Sequence, residues 1–327
     1  MRERRELDSP DEREAFYHLY TRVVAGEHLF RRPEKEMLRR QVWLVAERCG
    51  VDVLTYAVMA NHLHVVVCAP KRVPLGDEEL IRRYGLFRGR EGEDSNRLTA
   101  IRSILAAGGD DADRWRARES RKVSNISEYM KLLKQRFSIW YNQRHVRFGT
   151  LWAERFGSLL LEKGETVQRL SAYVDLNPLR AGLCRDPKDY RFCGYAEAVA
   201  GNKLAQARLT RAMGAGNWSD AQERYRMFLF TRGAGRKKKG ASVSAAARDQ
   251  VLSEGGKLSL AEQMRCRCRY FAAGGVLGSE TFVLDRLLRF REHTGRGKRM
   301  EPRPAGGAGL GLAVMRNVRS VRNAPDS

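Results

Sequence analysis

Long apolar runs are missing from this sequence. No segment approaches the roughly 18 consecutive apolar residues of a membrane-spanning helix. The first residues, Met1-Arg2-Glu3-Arg4-Arg5-Glu6, lack the apolar core of a secretory signal. An intracellular protein with no membrane partner is therefore expected. Cysteine is scarce, at six in 327 residues. Cys49, Cys68, Cys184 and Cys193 stand singly, as small buried residues do in a reducing compartment. Cys266 and Cys268 form a Cys-x-Cys pair, but no second Cys or His pair follows at zinc-site spacing, so a structural zinc is not expected.

Acidic residues are outnumbered, with 39 Asp and Glu against 61 Lys and Arg and a net charge of +22. The excess is spread along the chain. Such an imbalance pushes a compact fold apart unless a polyanion is the normal partner, which makes nucleic acid the expected one. A cytoplasmic, nucleoid-associated location of bacterial type follows from the same reasoning.

The residue pattern predicts a mixed α+β chain. Phe16 to Val24 is rich in aromatic and β-branched residues and reads as a strand. Glu34 to Cys49 has the helical apolar period, with Gly50 placed as its C-cap. Val51 to Met59 and His62 to Cys68 read as two further strands. Residues 71–122 break the pattern as a charged insertion with helix over Asp77–Tyr84 and Asn96–Ala107. A long basic helix runs from about Ser124 to Asn142, a short strand covers Gly157–Leu161, and a helix over Thr166–Leu176 ends before Asn177-Pro178. The order β-α-β-β-α-β-α suits a ferredoxin-like antiparallel sheet with helices on one face. This first domain is assigned to residues 1–200. A basic, partly helical linker is expected over 201–242. A small all-α C-terminal module follows over 243–300, with a capping box at Ser259–Glu262, a turn at Gly274–Gly278 and a helix capped by Ser279. It reads equally as a helix-turn-helix or as a plain helical hairpin. The glycine- and arginine-rich 301–327 read as a disordered tail.

Chemistry concentrates at Asn61-His62-Leu63-His64. With only six histidines in the chain, two of them at i and i+2 of a strand share one face and can reach one metal ion. The alternative is an exposed strand face that happens to carry histidines. Tyr173 and Asn177, at i and i+4, share a helix face. An amide oxygen suits a hard cation such as Mg²⁺, and mixed imidazole and oxygen ligation also suits Mn²⁺. A tyrosine hydroxyl beside that ion could attack a phosphodiester. Equally, Tyr173 could be a half-buried anchor and Asn177-Pro178 a helix stop. Tyr129 and Tyr141 compete for the nucleophile role. Trp152 and Arg155 suit stacking on unpaired bases, or are core and surface residues respectively. Lys131 and Lys134, with Arg286 and Arg289, form basic sets on two helices and are expected to contact nucleic acid.

Three blocks, Met59–His64, Gly149–Phe156 and Tyr173–Leu183, together resemble the single-tyrosine HUH transposases, in particular the REP-associated tyrosine transposase branch, over about residues 10 to 200. The resemblance implies the HUH nuclease fold, with His62 and His64 as metal ligands, Asn177 in the third-ligand position and Tyr173 as the nucleophile forming a 5′-phosphotyrosine link. It implies a divalent metal, Mg²⁺ or Mn²⁺, and a substrate of single-stranded or hairpin DNA, cut and rejoined. Such enzymes are often dimers, which leaves a homodimer open. Other branches place Gln at the Asn177 position, and Ala60 stands where many relatives have Pro. The rival readings are a catalytically idle DNA-binding regulator on the same fold and a replication-initiator or relaxase nickase.

Overall fold

A computed structural model describes residues 13–87, 93–230, 274–294, 301–304 and 312–316. Strand β1 (Ala15–Arg22) leads into helix α1 (Arg32–Cys49), then β2 (Asp52–Val58) and β3 (His62–Ala69). Pro33 opens α1 in its first turn, where a missing amide hydrogen costs nothing, and the Glu34 carboxylate accepts from the Arg31 backbone N–H at 2.9 Å. Gly50 closes the helix at φ 57°, a left-handed turn that glycine adopts without a Cβ penalty. The β2–β3 hairpin is tight, with the Met59 N–H donating to the His62 carbonyl at 2.8 Å.

Three helices then make up the insertion: α2 (Asp77–Gly85), α3 (Glu93–Ala107) and α4 (Gly109–Ser120). They enclose a small separate core of Leu80, Ile81, Ile101, Leu105, Ala112, Trp115 and Val123. The long helix α5 (Ile126–Arg144) follows, capped by the Asn125 side chain. Strand β4 (Gly157–Leu161) and helices α6 (Glu165–Asp175) and α7 (Asn177–Arg180) come next.

β1 lies between β3 and β4 and is antiparallel to both, while β2 pairs antiparallel with the far edge of β3. The strands thus run β2-β3-β1-β4, the connection pattern of a split β-α-β unit. Helices cover both faces, not one as expected. On one side Trp43 of α1 meets Tyr56 edge-on at 6.1 Å, and Tyr129 of α5 donates to the Val42 carbonyl. On the other, Thr55 donates to Asp175 of α6. Strand residues alternate between faces, and both parities here carry apolar residues that must be buried.

Helices α8 (Gly194–Val199), α9 (Lys203–Met213) and α10 (Trp218–Phe230) continue the second layer. Ala205, Leu209, Met213, Ala221, Tyr225 and Leu229 are buried in the main core. The expected linker over 201–242 therefore contributes to the core as far as Leu229, because its apolar residues repeat at helical spacing.

The C-terminal expectation is corrected as well. Gly274–Gly278 is not a turn but strand β5, parallel to β4 through Leu160–Val276 and Leu161–Leu277. Helix α11 (Glu280–Thr294) is capped by Ser279, as the sequence suggested, yet it packs on the sheet extension. Strands β6 (Arg303–Pro304) and β7 (Ala313–Arg316) complete the order β2-β3-β1-β4-β5-β7-β6. Residues 303–304 and 313–316 thus pair as strands where a disordered tail was expected, and residues 274–278 form a strand fused to the main sheet where part of an all-α module was expected. Glycine at 278 is sterically required, since a Cβ there would sit 2.7 Å from Glu162 and Phe282. The Arg236–Lys239 run and the Ser259–Glu262 capping box lie outside the described residues. Among the described residues no helix is long and apolar enough to cross a membrane.

The insertion is fastened to α1 by an ion pair between Arg48 and Glu119, both buried, with Lys122 at 2.8 Å from the same carboxylate. Burial alone would raise the Glu119 carboxyl; its cationic neighbours outweigh that and hold it below the usual range. Glu119→Ala leaves Arg48 as an uncompensated buried charge and should destabilise the chain by about 3–5 kcal/mol in urea unfolding. A loss below about 1 kcal/mol, the worth of a surface pair, would show that this contact is not the fastening.

Candidate active site

The two motif histidines project from the start of β3 toward the α6 layer. In register, His62 faces Arg22 and His64 faces Tyr20, so β1 supplies His18, Tyr20 and Arg22 to the same face. The His62 and His64 rings are 5.0 Å apart between centroids and nearly perpendicular. Leu63 is fully buried on the opposite side, as the alternation required.

Each imidazole has its Nδ1 engaged. His62 Nδ1 is 2.6 Å from the Asn61 side-chain oxygen, and the Asn61 amide nitrogen in turn donates to the Gly26 carbonyl at 2.8 Å. That arrangement makes His62 Nδ1 the protonated nitrogen and leaves Nε2 with its lone pair. His64 Nδ1 lies 2.9 Å from Nε2 of the buried His18. Burial, with smaller pushes from Arg22 and His28, holds the His62 pKa down at about 4. His64 is pushed well below its ordinary value, chiefly by burial and then by His18 and His62. Two neutral rings with oriented Nε2 atoms fit a divalent cation, which needs unprotonated imidazole. Among the described residues no three His, Cys, Asp or Glu side chains come together as a metal-binding group. A third protein ligand from these residues would have to be of another kind, such as an amide or phenol oxygen.

Tyr173 arrives from the last turns of α6. Its ring is 6.4 Å from His64 and 6.5 Å from His18, edge-on to both. The Arg180 guanidinium lies over that ring at 4.3 Å and donates to the Tyr173 carbonyl at 3.1 Å. Asn177 donates from its amide nitrogen to the carbonyls of Tyr173 (3.1 Å) and Val174 (3.0 Å), closing the end of α6 and turning its Oδ1 away from the helix. The structure thus brings His62, His64 and Tyr173 together and ties Asn177 to Tyr173 through the backbone.

Helix α6 is held in place two residues after Tyr173. Asp175 is fully buried and accepts from Tyr225 of α10, from Thr55 of β2 at 2.8 Å and from the Tyr195 N–H of α8 at 3.2 Å. Its carboxyl is pushed up to about 6 by burial, against the lowering effect of the Tyr225 and Thr55 hydrogen bonds.

The rival tyrosines are elsewhere. Tyr129 is buried against α1, and Tyr141 stacks on His145 at 4.3 Å at the far end of α5. Tyr20 is the nearer competitor, its ring 6.2 Å from His64. It lies across Gly157, where a Cβ would fall 2.0 Å from its ring, so only glycine at 157 lets it stay there. Burial, followed by the Glu154 charge, raises the Tyr20 hydroxyl above its usual value.

Several residues expected to hold nucleic acid are placed otherwise. Trp152 is 7% exposed, packs edge-on and tilted against Phe30 and Phe137, and donates to the Lys134 carbonyl. It is a core residue, because an indole that fills this gap cannot also stack on a base. Lys134 lies over the Trp152 ring, and Lys131 is exposed beside Glu128. Both belong to α5, in the layer opposite Tyr173. Arg155 is exposed. Arg286 is 4% exposed and covers Phe282, so it does not face a groove, whereas Arg289 is exposed and pairs with Asp285. The sequence reading missed His18, Tyr20, Asn61, Asp175 and Arg180 as parts of the site. Asn61, Asp175 and Arg180 lay inside quoted blocks without a role of their own. His18, Tyr20 and Arg22 show period-2 spacing, but only the β1–β3 register gives that face a meaning.

No family model and no curated protein matches this chain. A solved structure of a REP-associated tyrosine transposase bound to a REP hairpin is similar with a TM-score of 0.35 and 13% identity, covering 62% of this chain and 85% of that one. A likeness of this strength assigns neither fold nor function.

The raised Asp175 pKa makes stability depend on pH. Its folded value of about 6 exceeds the ordinary value of about 3.9, so the native state binds this proton more tightly than the unfolded state. The stabilisation is complete below about pH 4 and is lost as pH rises through 6. Between pH 4 and 7, wild type should lose on the order of 2–3 kcal/mol relative to Asp175→Asn in urea unfolding. A constant difference across that range would rule out a buried, titrating carboxyl.

Proposed function

We propose that this chain is a metal-dependent single-stranded DNA transesterase of the HUH type, a transposase that cuts one strand and rejoins it through a phosphotyrosine. The observation that carries the reading is the approach of the Tyr173 ring to within 6.4 Å of His64, with His62 a further 5.0 Å from His64. A nucleophile and two neutral imidazoles on one sheet face suit phosphodiester chemistry. A merely structural tyrosine would have no need of paired histidines. The β-α-β-β-α-β order and the β2-β3-β1-β4 arrangement agree with the ferredoxin-like core expected of that fold.

In this reading Tyr173 Oη gives up its proton and attacks the phosphorus, the P–O3′ bond breaks, and the 3′ oxygen takes up a proton to leave as a hydroxyl, so that no net proton is gained or lost. The 5′ phosphate stays on Tyr173. Rejoining reverses the step, since the incoming 3′ hydroxyl attacks the phosphotyrosine and releases the tyrosine. His62, His64 and Asn177 would hold Mg²⁺ or Mn²⁺, which when bound supplies Lewis-acid polarisation of the phosphoryl oxygens. Asn61 and His18 orient the two imidazoles through their Nδ1 atoms. Arg180 sets a positive charge beside the Tyr173 ring, where an anionic phosphodiester would lie. The partner would be single-stranded or hairpin DNA, matching the net charge of +22.

Tyr173→Phe should abolish the covalent adduct formed with a labelled single-stranded hairpin and Mn²⁺, read on a denaturing gel, with DNA binding nearly intact. An adduct that survives in Tyr173→Phe and disappears in Tyr20→Phe would transfer the role to β1.

His62→Ala and His64→Ala should each weaken Mn²⁺ binding by calorimetry, and His18→Phe should do so by about 10–100-fold, the cost of removing a ligand's hydrogen-bond partner. Unchanged affinity in both ligand variants would place the metal elsewhere.

A further inference from the structure

The loop between α5 and β4 holds its apolar side chains out into water. Phe148 is 92% exposed and Val146 is 84% exposed. Single exposed aliphatic residues are ordinary, but a wholly exposed phenyl ring beside a second apolar residue marks a surface made for contact. The loop is not slack. The Arg147 N–H donates to the Asn142 carbonyl at 2.9 Å, and the Asn142 amide donates to the Gly149 carbonyl at 3.1 Å. Val146 is held at φ 47°, a left-handed conformation that a β-branched residue adopts only under strain. A braced backbone that holds strain in order to present a ring is a feature of binding sites more than of connections.

The loop also leaves the sheet at the site. Beyond it, the Val24 N–H donates to the Leu151 carbonyl and the Ala153 N–H to the Arg22 carbonyl. Arg22 faces His62 in register, and the Val23 N–H donates to the Asn61 carbonyl. Phe148 therefore springs from the end of the sheet that carries the histidine pair. Its charged surroundings are mainly basic. Arg144, four residues before Phe148, and Arg155, seven residues after it, are both exposed. Of the acidic groups, Glu34 is buried and taken up by His145 at 3.2 Å, with Arg144 at 3.9 Å, and Glu154 is exposed.

We propose that Phe148 is a stacking platform for an unpaired base of single-stranded DNA, with the neighbouring arginines receiving the adjacent phosphates. A rigid aromatic ring loses little freedom on binding, and base stacking is tolerant of sequence because every base has a π-face. This role was expected of Trp152, four residues later, whose ring is occupied in the core. The proposal rests on the DNA reading of the site and names the surface that would hold the strand leading into it.

The test is fluorescence anisotropy of labelled oligothymidine with the full chain in low salt. Phe148→Ala should weaken binding by roughly tenfold, within the span measured for removal of one stacked base. Phe148→Trp should restore it. Thermal unfolding should be unchanged in both, because the ring contributes nothing to the core. Wild-type binding left intact in Phe148→Ala, or Trp as weak as Ala, overturns the stacking assignment while the function stands. A wild-type chain that neither binds the oligonucleotide nor forms the Tyr173 adduct overturns both.

Discussion

Three hydrogen bonds from three separate elements converge on one carboxyl group, and the geometry of the site depends on that convergence. Asp175 is surrounded by Thr55 of β2, the Tyr195 N–H of α8 and the Tyr225 hydroxyl of α10. A buried carboxyl without such partners would cost several kcal/mol, so α6 has one rotational setting in which the cost is met. In that setting Tyr173 is turned to the histidine face of the sheet. The same bonds make α8 and α10 part of what places Tyr173. Gly194 allows the close approach, since a Cβ there would fall 2.3 Å from the Thr55 hydroxyl.

The histidine pair is arranged by a second set of contacts. Asn61 and His18 each take one Nδ1, and burial keeps both rings neutral. A strand alone would place two imidazoles on a common face but leave each free to rotate about its side-chain bonds. The His62 ring is oriented by Asn61, and the His64 ring by β1, which runs beside β3 and contributes His18 at the right register. The glycine at 157 belongs to the same arrangement, because it clears the space in which Tyr20 lies.

The basic character of the chain is distributed differently from what a motif-by-motif reading suggests. Many arginines are spent on internal pairing, among them Arg39 with Glu197, Arg48 with Glu119 and Arg226 with Asp186. Arg286 is buried within the C-terminal extension. Arg22 at the site, with Arg144 and Arg155 on either side of Phe148 in sequence, is among the arginines that stay exposed. The C-terminal segment extends the sheet beyond β4, so its role in this fold is partly architectural: Ser279 clamps Glu162, and β5 continues the edge that β4 would otherwise leave unpaired.

Elements with strong local signals were legible in the sequence. The period of α1 with its glycine cap, the β2–β3 hairpin, the Gly157–Leu161 strand and the Asn177-Pro178 stop all depend on neighbours a few residues away. The i, i+2 spacing of His62 and His64 likewise fixed their common face, and the helix carrying Tyr173 could be read from its apolar positions. Features that depend on distant partners were not legible. Gly274–Gly278 has the composition of a turn and becomes a strand because β4 offers it an edge. Residues 203–230 read as linker until their apolar stripe finds the α6 layer. Trp152 looks like a base-stacking aromatic, and only packing against Phe30 and Phe137 makes it core. His18 stood unassigned because the sequence alone does not set the register between β1 and β3. Local chemistry decided which side chains could react. Long-range packing decided which of them meet, because a buried polar group is stable only where its partners arrive from other parts of the chain.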